Sequence, residues 1–222
     1  SPRQGTYVRY NHEAMVGILV LEAQRAGAVV VGEDLGVVEP WVRVYLRDRG
    51  ILGTSIAWFE RDGNGQILPP ESWREYCMAS VTTHDMPPTA GYLALDHVRL
   101  QHRLGLLTES IEEECALAQR TFATWRHALI ERGFLAPEDA DNIDEEVLAM
   151  HRWIVASPAR VLNAALTDAV GDHRTQNQPG TVDEYPNWRV PLSGPDGRPI
   201  TLEEVFASPR AARLAAVMNG FG

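Results

Sequence analysis

Val29-Val30-Val31-Gly32-Glu33-Asp34-Leu35-Gly36 decides the fold. Three β-branched residues run into a glycine, two carboxylates and a second glycine. A short apolar run of this kind reads as a buried strand, with the acid pair where the strand runs out. In parallel α/β proteins, the C-terminal strand ends present catalytic side chains. The local sequence leaves two readings open. Glu33 and Asp34 either serve a site, or they cap the helix that starts near Pro40, since acids favour helix starts.

Working outward, Asn11 is an N-cap for a helix from His12 to Arg25, closed by Gly27. Met15, Ile18, Leu19 and Leu21 fall on one face, which is expected to be buried, with His12 a first-turn surface residue. After the strand Ala28–Gly32, Pro40 opens a helix that ends by Gly50. The next strand lies within Ile51–Phe59, and Asp62-Gly63-Asn64-Gly65 is a turn. Glu71–Tyr76 is expected to hold a helical turn. Met78–Thr83 reads as a strand ending in Thr83-His84-Asp85, and Thr89–Leu104 returns to helix. Strand–helix alternation with short links marks a parallel sheet covered by helices, open or closed into a barrel.

Residues 95–157 read differently, as a helical excursion within a single domain spanning 1–222. Ser110-Ile111-Glu112-Glu113 is a capping-box pattern for a helix to about Arg132, which Gly133 can end. Pro137 and Glu138-Asp139-Ala140-Asp141 open another helical stretch, whose charges suit a solvated face. Trp125 and Trp153 are expected to pack inward. Val161–Leu166 is a further strand, ending at Thr167-Asp168. A loop rich in Asn, Gln, Pro and Trp runs from Gly171 to Pro191. Thr201-Leu202-Glu203-Glu204 caps a helix, and Ala207–Met218 forms another.

Composition narrows the function. A net charge of −10 without a Lys/Arg block argues against nucleic-acid or acidic-membrane partners. No apolar stretch is long enough to span a bilayer. Two cysteines, Cys77 and Cys115, suggest no disulfide framework and a reducing compartment. Ser1 follows no Met and no signal-like segment, so the chain is expected to begin inside a longer protein.

Polar groups recur at the strand ends: Glu33 and Asp34, Phe59-Glu60, His84-Asp85, then Asp168. Several in register suggest an active-site rim on one face of a barrel. No Ser or Cys nucleophile motif, phosphate loop or paired-Cys metal site is found. His84-Asp85 also suggests metal-dependent phosphohydrolases, but no matching ligand set accompanies it.

Gly5-Thr6-Tyr7-Val8-Arg9-Tyr10, Val31–Gly36, Thr83-His84-Asp85, Asn177-Gln178-Pro179-Gly180-Thr181 and Asn187-Trp188-Arg189 together resemble the amylomaltases. These are 4-alpha-glucanotransferases of the alpha-amylase clan. The pieces keep the family's order along nearly the whole chain. The resemblance implies an α/β fold, the C-terminal half of a TIM (β/α)8 barrel (about strands five to eight) with a helical insertion. It implies a cytoplasmic enzyme of maltodextrin and glycogen metabolism that cuts an alpha-1,4-glucan and passes the piece to another sugar, with no metal or organic cofactor.

The same resemblance assigns residues. Glu33 matches the general acid/base at the end of the fifth strand. Asp85 matches the transition-state-stabilising aspartate after the seventh, and His84 the adjacent histidine that hydrogen-bonds sugar hydroxyls. Phe59 falls where a residue of the sixth strand end lines the site. Asp168 resembles the aspartate closing the eighth strand, and Asn177 the asparagine of the following loop. For Phe59, Asp168 and Asn177 a structural role is an equal alternative. The residue types suit the chemistry. A retaining glycosidase uses one carboxyl as acid, then base, and another as nucleophile. An acid at an apolar strand end is suited to a raised pKa. A further carboxylate can stabilise oxocarbenium-like charge.

The sequence also departs from the family pattern. Met86-Pro87-Pro88 stands where Asn and another acid usually follow T-H-D, Thr175-Gln176 where Arg-Met is common, and Val190-Pro191 where a second Trp-Arg is usual. The family nucleophile, an aspartate in an R-x-D-H stretch ending the fourth strand, has no counterpart here. The expectation is a C-terminal portion of an amylomaltase, inactive in isolation. The alternative is a non-catalytic carbohydrate-binding or structural module of the same fold. A barrel cut before its fifth strand would expose two strand edges, near Val29–Val31 and Val161–Leu166, and a homodimer through that edge is expected.

Overall fold

In the computed structural model the described residues are 5, 6 and 8–220. Tyr7 of the Gly5–Tyr10 motif and Ser1 lie outside them. The strands β1 (Gly53–Ile56), β2 (Cys77–Ser80) and β3 (Val161–Asn163) form a parallel sheet in the order β1-β2-β3. Each strand thus pairs with its successor in sequence. Helices α1 (His12–Ala26) and α2 (Pro40–Arg47) precede β1. Between β2 and β3 come α3 (Thr89–Leu93), α4 (Asp96–Arg103), α5 (Ile111–Glu131) and α6 (Ile143–Val155). After β3 follow α7 (Leu166–Val170), α8 (Leu202–Ala207) and α9 (Pro209–Met218). The chain forms two compact units. One runs to Thr54 and includes Tyr76–Met78; the other comprises Ser55–Glu75 and the residues from Ala79 on.

In the first unit, Asn11 caps α1 by accepting from Ala14 N, and Gly27 ends it in the left-handed region. The helix boundaries match the pattern, but the expected buried face does not. Met15, Ile18, Leu19 and Leu21 are all exposed, and α1 buries no residue. A stripe specifies which face can be buried, not that a surface is there to cover it. The start of α1 does pack. The His12 ring lies 5.1 Å from Trp41 and 5.0 Å from Tyr45, so His12 is half-buried rather than a surface residue.

The strand expected at Ala28–Gly32 is reduced to one parallel bridge, Val31 to Leu52. Leu52 N donates to Val30 O, and Gly32 N to Leu52 O. The ladder stops because Thr54 N, next on the same side, donates to the Asp34 carboxylate at 2.9 Å instead of a neighbouring carbonyl. Val29 is correspondingly 71% exposed, not buried.

The second unit holds most of the core. Trp58, in the turn after β1, packs edge-on against Tyr92, Phe122 and Trp125, and Trp125 against Trp153. Edge-to-face aromatic pairs add about 0.5–1.5 kcal/mol each beyond burial. Trp125 and Trp153 are each 1% exposed, as expected. The capping box at Ser110 is present, with Ser110 Oγ accepting from Glu113 N, and a second one starts α8 at Thr201. The Arg126 guanidinium holds buried Glu146 through two bonds of 2.9 Å, tying α5 to α6. The helix expected over Thr89–Leu104 is broken at Leu95, whose φ is +64°. Helix α3 lies so close to the loop after α7 that a Cβ on Gly91 would sit 2.1 Å from the His173 carbonyl oxygen. Only glycine fits there.

Candidate functional site

The Thr83-His84-Asp85 segment is a tight loop between β2 and α3. Buried Thr82 closes its neck by donating from Oγ1 to Pro87 O at 2.8 Å. Inside the loop Met86 N donates to Thr83 O, and Asp85 N to Thr83 Oγ1. These bonds turn His84 and Asp85 out to solvent. His84 Nε2 lies 3.5 Å from Asp85 Oδ2.

The loop after α7 reaches the same two side chains. Asn177 Nδ2 donates to Asp85 Oδ1 at 2.6 Å, and the Trp188 ring lies 5.3 Å from the His84 ring. Its own framework is polar. Buried Asp172 accepts from Arg174 N and Ser193 N, both at 2.9 Å. Thr175 Oγ1 donates to Asn177 O, and Tyr185 OH to Thr175 O. Trp188 has φ +62°, uncommon for so large a residue, while its N–H is held by Gln176 O. The sequence does not reveal the pairing of Trp188 with His84; there Asn187-Trp188-Arg189 is legible only as a motif. A bulky aromatic in a Pro- and Asn-rich loop was the available signal.

Beside His84 a cleft of about 320 Å³ is lined in part by Thr83, Met86, Leu166, Gln176 and Val190. Met86, Gln176 and Val190 are three of the positions that depart from the amylomaltase pattern. Phe59 is presented outward in the turn after β1: Trp58 is 6% exposed and turned to the core, whereas Phe59 is 55% exposed. Among the described residues no cluster of three or more His, Cys, Asp or Glu side chains could hold a metal ion.

Asp168 does not end a strand. The strand stops at Asn163, and Asp168 lies in α7, fully buried. Its Oδ1 accepts from Thr89 N at 2.7 Å and its Oδ2 from Thr89 Oγ1 at 2.6 Å. The carboxylate therefore satisfies the open N-terminus of α3, directly after the His84-Asp85 loop. Burial pushes its pKa up, opposed by His151 and by the Thr89 bonds. Here it supports the loop from beneath.

In the first unit Glu33 is exposed rather than set against an apolar wall, and its Oε1 accepts from Leu35 N at 2.6 Å. Neither it nor Asp34 caps α2, whose N-cap is Glu39. Asp34 is 2% exposed and is spent on Thr54 N and on Arg43, 3.4 Å away.

The chain is similar to several known proteins. Over 98% of its length the chain is 62% identical to 4-alpha-glucanotransferases of Mycobacterium bovis and Mycobacterium tuberculosis, covering 31% of each. It is 25% identical to the Haemophilus influenzae 4-alpha-glucanotransferase over 86% of its length. The crystal structure of amylomaltase from Corynebacterium glutamicum superposes with a TM-score of 0.91 at 39% identity, over 98% of this chain and 32% of that one. The chain thus spans about a third of the length of the relatives it matches. The 4-alpha-glucanotransferase profile matches residues 1–196, and the chain belongs to that family.

Proposed function

We propose that this chain carries the acid/base side of a 4-alpha-glucanotransferase that moves alpha-1,4-glucan segments between maltodextrins by retaining double displacement. The observation that carries the reading is the Asn177–Asp85 bond of 2.6 Å beside His84, in a chain of this family. In it Glu33 protonates the leaving glycosidic oxygen, then removes a proton from the acceptor hydroxyl. Asp85, held in one orientation by Asn177, faces the oxocarbenium-like charge. His84 hydrogen-bonds sugar hydroxyls, and Phe59 and Trp188 offer exposed aromatic faces. Asn177 serves substrate through Asp85, and Asp168 through the loop it anchors. The nucleophile comes from outside these 222 residues, so the isolated chain is inactive.

The coarser fold, an α/β sheet with helices, is extended by the same reading to about strands five to eight of a TIM barrel, one catalytic domain with residues 95–157 inserted. The bridge at Val31 and the three ordered strands support this. The same reading places the enzyme in the cytoplasm without nucleic-acid or membrane partners. A net charge of −10 without a Lys/Arg block supports the exclusion of nucleic acid, and no helix of the described residues is long and apolar enough to cross a membrane.

The test is disproportionation of maltotriose by the natural full-length protein. Glu33→Gln should lower transfer by about 10²–10⁴-fold, the contribution of general acid catalysis. A near-normal rate would move the acid/base role elsewhere. Glucan binding with no transfer in the unaltered full-length protein would favour the non-catalytic binding module.

A further inference from the structure

On the second unit, beneath the loop that carries Asn177, lies a separate cavity of about 370 Å³. Its walls come from α4, from residues 173–190 and from Pro87. Three arginines, Arg99, Arg103 and Arg174, are among its lining residues. Two of them are neutralised. Arg99 pairs with Asp96 at 2.8 Å, and Arg174 with Asp172 at 3.0 Å. Asp96 is shared with His173 Nδ1, also at 2.8 Å. Among the described residues the Arg103 guanidinium makes no ion pair or hydrogen bond, and Arg103 is solvent-exposed. The cavity thus keeps an unanswered positive charge in a chain whose net charge is −10.

The remaining lining suits a small organic body. Leu100, Pro186 and Val190 are apolar, while Gln178 and Tyr185 bring polar groups. The His97 ring lines the cavity too, and its Nδ1 has no partner in the protein. Burial lowers the His97 pKa to about 4, opposed by Asp96 and the Gly91 backbone, so the ring is neutral at neutral pH. A volume of this size lies at the small end of ligand pockets.

We propose that this cavity is a second ligand site, for a phosphomonoester of monosaccharide size whose phosphate is held by Arg103. It is separate from the cleft beside His84 and Asp85. Its wall is nonetheless the loop that orients Asp85, since Tyr185 OH holds Thr175 O and Thr175 Oγ1 holds Asn177 O.

Titration calorimetry on the natural full-length protein tests the assignment, with glucose 6-phosphate, glucose and inorganic phosphate as probes. Glucose 6-phosphate should bind once per chain, and at least about tenfold more tightly than glucose or phosphate alone. Arg103→Gln should weaken it by at least about tenfold, because a charge-assisted contact is lost. This variant removes no ion pair, so its folding should be unaffected. Asp85→Asn should leave the affinity unchanged. Absence of glucose 6-phosphate binding at 10-fold above about 1 mM would overturn the proposal. So would equal affinity for phosphate alone, equal affinity in Arg103→Gln, or loss confined to Asp85→Asn.

Discussion

Replacing Arg126 with Met tests how the helical part of the second unit is held. Glu146 is 1% exposed, and its two oxygens each take one Arg126 bond of 2.9 Å. The two partners respond differently. Glu146 holds the guanidinium pKa up, whereas burial pushes the Glu146 carboxyl up more than Arg126 pulls it down. Removing Arg126 strands a buried carboxylate, which costs about 3–5 kcal/mol. The Arg126 side chain is 31% exposed, so water reaches one side of the pair and the lower end, about 3 kcal/mol, is expected. With a urea m-value of about 3 kcal/mol/M, the unfolding midpoint should fall by about 1 M. Fluorescence of Trp125 and Trp153, in the same helical core, reports the transition.

The pH dependence has a definite sign. An acid whose folded pKa is raised keeps a proton that the unfolded chain has released. Its contribution to stability is full below the unfolded value, about 4.3, and is lost as pH rises through the folded value. Without Arg126 the folded value rises further, so the deficit of Arg126→Met should be small near about pH 4 and grow as pH rises toward neutrality and above. Adding Glu146→Leu should restore most of the stability at neutral pH, since no charge is then left buried. A double variant as unstable as the single one, or a deficit independent of pH, would refute the reasoning.

Gly91→Ala should destabilise by about 3 kcal/mol or more, at the upper end of overpacking costs, because the added carbon meets the His173 backbone at 2.1 Å. An unchanged urea midpoint would show that the loop after α7 yields. The 222-residue chain should self-associate as a homodimer, because β3 ends its sheet and Met15, Ile18, Leu19 and Val29 are exposed. Light scattering that shows a monodisperse monomer at high concentration would count against it.

Local signals carried most of the elements. Asn11, Ser110 and Thr201 mark helix starts because a side-chain oxygen next to free N–H groups acts within one turn. What depended on distant partners was not legible. The apolar stripe of α1 was visible, but its exposure was not. Asp168 followed an apolar run just as Glu33 does, and sequence alone cannot distinguish a carboxylate facing solvent from one bonded to Thr89, 79 residues away. The His84-Asp85-Asn177 grouping came from ordered motifs. The bond that joins Asn177 to Asp85, and the Trp188 ring beside His84, arise from a loop whose path is set by Asp172 and has no periodic pattern.

The backbone of Trp188 has an evolutionary consequence. A left-handed conformation costs a non-glycine residue about 1–3 kcal/mol, and a ring 63% exposed recovers little of that by burial. Glycine adopts the same angles freely, losing about 0.5–1 kcal/mol through its looser unfolded chain. Directed selection for heat resistance alone should therefore favour Trp188→Gly, whereas selection for glucan transfer should keep the tryptophan. If thermal selection never recovers glycine at this position, and Trp188→Gly lowers the melting temperature, the ring is held there by packing rather than by use.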